Sequence, residues 1–126
     1  MGYLRPERPM IDGNQPDAWL DIESVDDARV VAFHGEHDIS TVDLVRERLR
    51  EATAGDGVII IDLADATFID SSVAGALLEA YRRETPSRMR FVVASGTPPR
   101  ELFTVLGFDG AVPIYEHRED ALAASY

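Results

Sequence analysis

The chain has 126 residues, a formal charge of −11, 45% hydrophobic residues and no cysteine. That length lets one domain bury a core without staples, and the missing cysteines exclude both a disulfide framework and a thiolate metal centre. The acidic balance argues against nucleic acid, whose binding requires phosphates to be neutralised.

All 12 cationic residues are Arg, with no Lys anywhere. No segment approaches the apolar length of a membrane span, and the first ten residues lack the apolar run of a secretory signal. The expected compartment is therefore the cytoplasm, with no membrane and no nucleic-acid partner.

Residues 1–17 hold three of the seven prolines and show no period, which reads as a flexible N-terminal leader ahead of a single domain over 18–126. Residues 19–23 alternate, with Leu20 and Ile22 on one face, and predict a half-exposed strand. Residues 30–33 (VVAF) predict a second strand, antiparallel to the first because the link carrying Asp26 and Asp27 is short. Ser40-Thr41-Val42-Asp43 reads as a capping box opening a helix, with Asp in the usual place of Glu. Val42, Val45, Leu49 and Ala52 form its buried stripe, Arg46, Arg48 and Arg50 face water, and Gly55-Asp56-Gly57 stops it.

The stretch 58–75 (VIIIDLADATFIDSSVAG) organises the rest. The run Val58-Ile59-Ile60-Ile61 is apolar at every residue, which fits a central strand covered on both faces. Ala64-Asp65-Ala66 reads as a short connection, after which Phe68 and Ile69 return to the core. Asp70-Ser71-Ser72 then opens a helical pattern over Val73, Ala74, Ala76, Leu77, Ala80 and Tyr81, with Arg82 and Arg83 favourably placed near its carboxyl end. Two adjacent hydroxyls, Ser71 and Ser72, are thereby set at a helix mouth beyond the carboxyl end of a buried strand.

Pro86-Ser87 is a break, and residues 89–94 (MRFVVA) form the next strand. Gly96-Thr97-Pro98-Pro99 starts a short helix with Leu102, Phe103 and Leu106 on its apolar face. Residues 111–115 (AVPIY) predict a last strand, at an edge because Pro113 cannot donate to a ladder. Residues 119–125 form a final amphipathic turn packed through Ala121, Leu122 and Ala124. Alternating strands and helices predict an α/β domain. Its sheet is mostly parallel with right-handed crossovers and one antiparallel N-terminal strand, and about four helices pack on it.

Several chemistries can be weighed against this frame. Ser71 lies outside a G-x-S-x-G elbow and its neighbour Asp70 is an acid; a hydrolase would need His34 or His37 brought to it in space. Glu36-His37-Asp38 are adjacent on one loop and read as turn and cap in preference to metal ligands. No dinucleotide or P-loop motif is present, so no cofactor is expected. Asp62 ends a buried strand, but phosphoryl transfer of the response-regulator kind needs a Lys that this chain lacks. Two readings of Ser71 stay open: an N-cap, or a site that accepts phosphate, whose charge of about −1.5 to −2 suits a helix N-terminus.

Three stretches carry a resemblance to a known family. They are Phe33-His34-Gly35-Glu36-His37-Asp38-Ile39; Ile61-Asp62-Leu63 followed by Thr67-Phe68-Ile69-Asp70-Ser71-Ser72 and Gly75; and Leu106-Gly107-Phe108 followed by Val112-Pro113-Ile114-Tyr115 and Glu119-Asp120-Ala121-Leu122. Together they resemble the STAS domain, in particular the stand-alone bacterial anti-sigma factor antagonists. The resemblance implies a partner switch: an anti-sigma factor serine kinase is bound when Ser71 is unmodified and released when Ser71 is phosphorylated. A protein phosphatase acting on phospho-Ser71 restores the first state. It further implies partner contacts at Asp38, Asp70, Ser72 and Val73. Val73 stands where the family often has Gly, Ala74 where it often has Leu, and His37 where the loop usually has Leu. The alternative within the same fold is a non-phosphorylated scaffold or transport-accessory module.

Overall fold

Ile59, Ile60 and Ile61 are each no more than 1% exposed, because the strand they begin is covered on both of its faces. The computed structural model describes residues 18–84 and 88–124; the expected leader, the break at Pro86-Ser87 and the last two residues lie outside them. Among the described residues five strands form one sheet in the order β1 (Ala18–Val25), β2 (Ala28–His37), β3 (Ile59–Ile69), β4 (Met89–Val92) and β5 (Ile114–Tyr115). β1 runs antiparallel to β2, and the remaining neighbours are parallel. Among the described residues three α-helices connect successive parallel strands, α1 (Val42–Thr53), α2 (Ser71–Arg83) and α3 (Pro98–Val105), and a fourth, α4 (Arg118–Ala123), follows β5.

The period-two alternation of each strand divides the core into two layers. Val31 and Phe33 of β2, Ile59, Ile61 and Leu63 of β3, and Met89 and Phe91 of β4 pack with the apolar faces of α1, α2 and α3. Val45 and Leu49 of α1, Val73 and Leu77 of α2, and Phe103 of α3 close that layer. The opposite face carries a smaller cluster of Ala28, Val30, Ile60, Val92 and Ala121, covered by α4. An ion-pair network joins this second layer: Arg118 donates through Nε to Asp62 at 2.8 Å and through Nη1 to Glu23 at 2.7 Å. Burial opposes the Arg118 charge, but those two carboxylates hold it above its ordinary pKa.

The structure corrects the expected elements at several points. β3 does not end at Leu63; it continues through Ala64-Asp65-Ala66 to Ile69. Its pairing with β2 shifts twice, between Ala32/His34 and Gly35/Glu36, and each shift adds one residue on β3. Bulges of this kind break strict alternation, so the stretch reads as a loop although it stays paired. As a result Ile69 is buried, but Phe68, expected in the core, is 45% exposed. Leu106 lies just past the last turn of α3 and is 42% exposed, whereas Phe103 and Pro99 are buried and Leu102 packs against the core. The capping box expected at residues 40–43 does not form. Thr41 precedes α1 without a side-chain cap, and a short 3-10 turn, Ile39–Thr41, capped by Asp38, leads into the helix instead.

The β1–β2 hairpin turns through Asp26 and Asp27, with Asp26 at φ 53. Gly57, at φ +98, passes so close that an added Cβ would lie 2.6 Å from the Asp27 carbonyl oxygen. Both the backbone angle and the missing space demand glycine there. Gly57→Ala is expected to lose about 1–3 kcal/mol of unfolding free energy in urea denaturation, with Gly110→Ala, where no atom lies within 4 Å of an added Cβ, as the control of smaller effect.

Candidate functional site

Because β2 and β3 are parallel, their carboxyl ends emerge side by side. The Asp70 amide donates to the His37 carbonyl at 3.1 Å, which ties the last residue of β2 to the mouth of α2. Each strand then ends in the same small device, Asp-x-Ser. Asp38 Oδ1 accepts from the Ser40 amide at 2.9 Å and the Ser40 hydroxyl at 2.5 Å. Asp70 Oδ1 accepts from the Ser72 amide at 3.0 Å, the Ser72 hydroxyl at 2.5 Å and the Val73 amide at 3.1 Å. The carboxylate thus satisfies free N–H groups of the first turn and opposes the positive end of the helix.

This arrangement separates the two serines. The N-cap is Asp70, not Ser71, so the capping reading of Ser71 does not hold. Ser72 is half-buried and donates to Asp70, whereas Ser71, the first residue of α2, is exposed and its hydroxyl enters no hydrogen bond among the described residues. One helical turn further on lies Gly75, also exposed, with no atom within 4 Å of an added Cβ. Residues four apart share a helix face, so the free hydroxyl and a bare stretch of backbone face the same way. Glycine within a helix costs about 1 kcal/mol relative to alanine, and no packing contact here offsets it.

Of the residues expected around Ser71, Asp70 and Ser72 are its capping neighbours, and Asp38 caps the turn that packs against α2. Hydrogen bonds from the Ser40 hydroxyl and amide hold the Asp38 carboxyl below its ordinary pKa. Val73, expected among the partner contacts, differs from them in its placement: its relative exposure is 0%, and it belongs to the core beneath α2. Burying a valine side chain stabilises by about 1.5–3 kcal/mol, which decides its direction. Two further residues, each inside a stretch that carries the resemblance but neither expected as a site residue, flank these turns. Ile39, between Asp38 and Ser40, is 71% exposed, and Phe68 is exposed near the end of β3.

The histidines are occupied elsewhere. The His34 ring stacks on Trp19 at 3.9 Å between centroids, with Asp21 Oδ2 3.2 Å from Nε2 and Asp65 Oδ2 3.3 Å from Nδ1. His37 has no exposed surface; its Nε2–H donates to the His34 carbonyl at 3.1 Å, and Nδ1 lies 3.1 Å from the Thr41 hydroxyl. Neither ring hydrogen-bonds Ser71, so the oriented base that a serine nucleophile requires is not supplied by either. No helix of the described residues is long and apolar enough to cross a membrane.

Comparison with known proteins places the fold. A family model described as STAS domain matches residues 20–121. The fold is similar to that of an anti-sigma factor antagonist from Mycobacterium paratuberculosis, with a TM-score of 0.79 and 25% identity, covering 85% of this chain and 93% of that one. The unphosphorylated form of the anti-sigma factor antagonist SpoIIAA aligns with a TM-score of 0.61 and 21% identity, covering 82% of this chain and 94% of that one. The phosphorylated form of the Bacillus cell fate determinant SpoIIAA gives 0.60 and 23%, covering 82% and 96%. At those two identities the likeness is one of fold. No curated protein matches the sequence.

The site's geometry sets two expected outcomes. Asp70→Ala, which removes the cap, is expected to lower unfolding free energy by about 1 kcal/mol, while Ser71→Ala stays within about 0.5 kcal/mol of the parent; urea denaturation measures both. Burial lowers the His37 pKa from its ordinary 6.5. The unfolded chain therefore binds the proton more readily, and the His37 contribution to stability is lost as pH falls from about 6.5 toward the folded pKa. His37→Leu is expected to flatten that part of the stability–pH curve.

Proposed function

The chain belongs to the STAS domain family, and from that premise we propose that it is an anti-sigma factor antagonist whose grip on its partner is set by phosphorylation of Ser71. The unmodified protein binds an anti-sigma factor that is itself a serine kinase and so frees a sigma factor. Transfer of phosphate to Ser71 ends the complex, and a protein phosphatase restores it. The protein acts in the cytoplasm as a binding module, without enzymatic activity or cofactor of its own.

The observation that carries this reading is the division of labour at the α2 mouth: Asp70 caps, Ser72 is held by Asp70, and the exposed Ser71 hydroxyl is left unbonded. A phosphate there would add about −1.5 to −2 charge to a helix start that tolerates it. The fold stands while the docking surface, already bearing Asp38 and Asp70, becomes more acidic. Like charges brought together in an interface cost on the order of several kcal/mol, and about 1.4 kcal/mol is a factor of ten in affinity. Ile39, Phe68 and the bare backbone at Gly75 supply the apolar and close-approach contacts of the unmodified state. The likeness to the Mycobacterium paratuberculosis anti-sigma factor antagonist supports the same role.

Incubation with ATP and candidate anti-sigma kinases, then mass-spectrometric mapping, is expected to place one phosphate on Ser71. Phosphate on Ser72, or none with a kinase that binds, would sink the switch and leave a scaffold or transport-accessory role. Ser71→Ala is expected to bind the kinase and accept no phosphate, and Ser71→Asp to bind at least about tenfold more weakly by calorimetry. Gly75→Ala separates stability from docking: unfolding free energy rises by about 0.5–1 kcal/mol while affinity for the kinase falls. Labelling of Ser71 by a fluorophosphonate would point to a hydrolase instead.

A further inference from the structure

His37 is the one histidine of the described residues with no exposed surface, and it stands directly under the Asp38 turn. Its ring packs edge-on against Phe33, with centroids 5.1 Å apart at 65°, so one side is apolar. The His34 carbonyl can only accept, which favours a proton on Nε2 in the neutral ring; the Trp19 backbone hydrogen-bonds the ring as well. Nδ1 then faces the Thr41 hydroxyl, and that hydroxyl has a second acceptor, the Asp38 carbonyl, also at 3.1 Å. A hydroxyl carries one proton and can donate to only one of them at a time. In the neutral state Thr41 donates to Nδ1. With Nδ1 protonated, the ring donates to Thr41 Oγ1, and the hydroxyl proton turns to the Asp38 carbonyl. The same heavy-atom distances serve both proton arrangements.

We propose that His37 and Thr41 form a proton-operated relay built into the fold: a proton taken from solvent at His37 Nδ1 reorients the Thr41 hydroxyl onto the Asp38 carbonyl, and the change is felt at the Asp38 turn and at the mouth of α2. The route to α2 is the hydrogen bond from the Asp70 amide to the His37 carbonyl. The titratable groups that face the ring are His34 on its own strand, which opposes the added charge, and Asp38 on the turn, which favours it. β1 contributes the Trp19 backbone, its Asp21 being paired with His34, and the 3-10 turn contributes the uncharged Thr41. From the end of β3, Asp70 reaches His37 through its amide. Asp38 itself titrates below the ordinary carboxylate range, well apart from the histidine window. The relay belongs to the free protein and needs no kinase.

The full chain, labelled with nitrogen-15 and carbon-13, tests it by NMR titration from about pH 8 to about pH 4.5, which brackets the ordinary histidine range. The expected result is an Nε2–H tautomer at neutral pH and an inflection of the His37 ring below its ordinary 6.5. The amides of Asp38, Ser40, Asp70 and Ser71 should share that inflection. His37→Leu should abolish the shared inflection, which sets it apart from titration of His34. Thr41→Val should leave the ring titrating while the Asp38 and Ser40 amides no longer respond. An Nδ1–H tautomer, amides that stay flat while the ring titrates, an unchanged profile in His37→Leu, or unfolding before the ring takes its proton would each overturn the relay.

Discussion

The parallel ladder between β2 and β3 is the constraint on which the rest depends. Parallel pairing puts the carboxyl ends of both strands at one edge of the sheet, and the hydrogen bond from the Asp70 amide to the His37 carbonyl extends the tie past the last paired residues. From there each chain segment must turn back over the same face. Asp38 and Asp70 make the two turns in the same way, each holding the amide and hydroxyl of a serine two residues on. The residue between the aspartate and the serine is pushed outward in both cases, as Ile39 in one turn and Ser71 in the other. A large apolar side chain and a free hydroxyl thus reach solvent through one local rule applied twice.

The energetics show which features the fold itself requires. Asp70 stabilises α2 as its cap, and Val73, Ala74 and Leu77 anchor the helix in the core. Ser71 and Gly75 contribute little to either, and glycine in a helix is unfavourable by about 1 kcal/mol. A position that lowers stability without a local structural return is best understood by what approaches it from outside. The same reasoning sets Arg118, Asp62 and Glu23 apart. Their ion pairs hold α4 against the second face of the sheet and concern architecture rather than recognition.

How far the sequence discloses this depends on how local each signal is. The apolar run over Val58-Ile59-Ile60-Ile61 declares a doubly covered strand, and Ile59, Ile60 and Ile61 are buried as expected while Val58 precedes β3 and is half-buried; the stripe Val42, Val45, Leu49 and Ala52 declares the inner face of α1 and is found as expected. The continuation of β3 through Ala64-Asp65-Ala66 is hidden because two bulges disturb the alternation on which strand recognition rests. Phe68 misleads for the same reason: an aromatic beside Ile69 looks like core until the register is known. The pairing of Arg118 with Asp62 joins residues 56 positions apart and leaves no local trace. In the site, the Asp-Ser-Ser helix start is legible, but which of its residues caps is not, since aspartate and serine both suit that role. Gly75 is legible in principle, as a glycine four residues after Ser71 on the outer face of a helical pattern.

The two bulges also set the phase of β3. The residues that point toward the helices are Ile59, Ile61, Leu63, Ala66 and Ile69, so the spacing lengthens from two to three past Leu63. The strand keeps its inward set in phase only by absorbing one extra residue at each irregularity. Loss or gain of a single residue between Leu63 and Ile69 would rotate the remainder of the strand by half a turn, turning Ile69 toward water and carrying the α2 mouth out of line with the Asp38 turn. Length variation in this part of the chain is therefore geometrically quantised. Side chains can vary at its exposed positions, but the residue count can change only by creating or erasing a whole bulge.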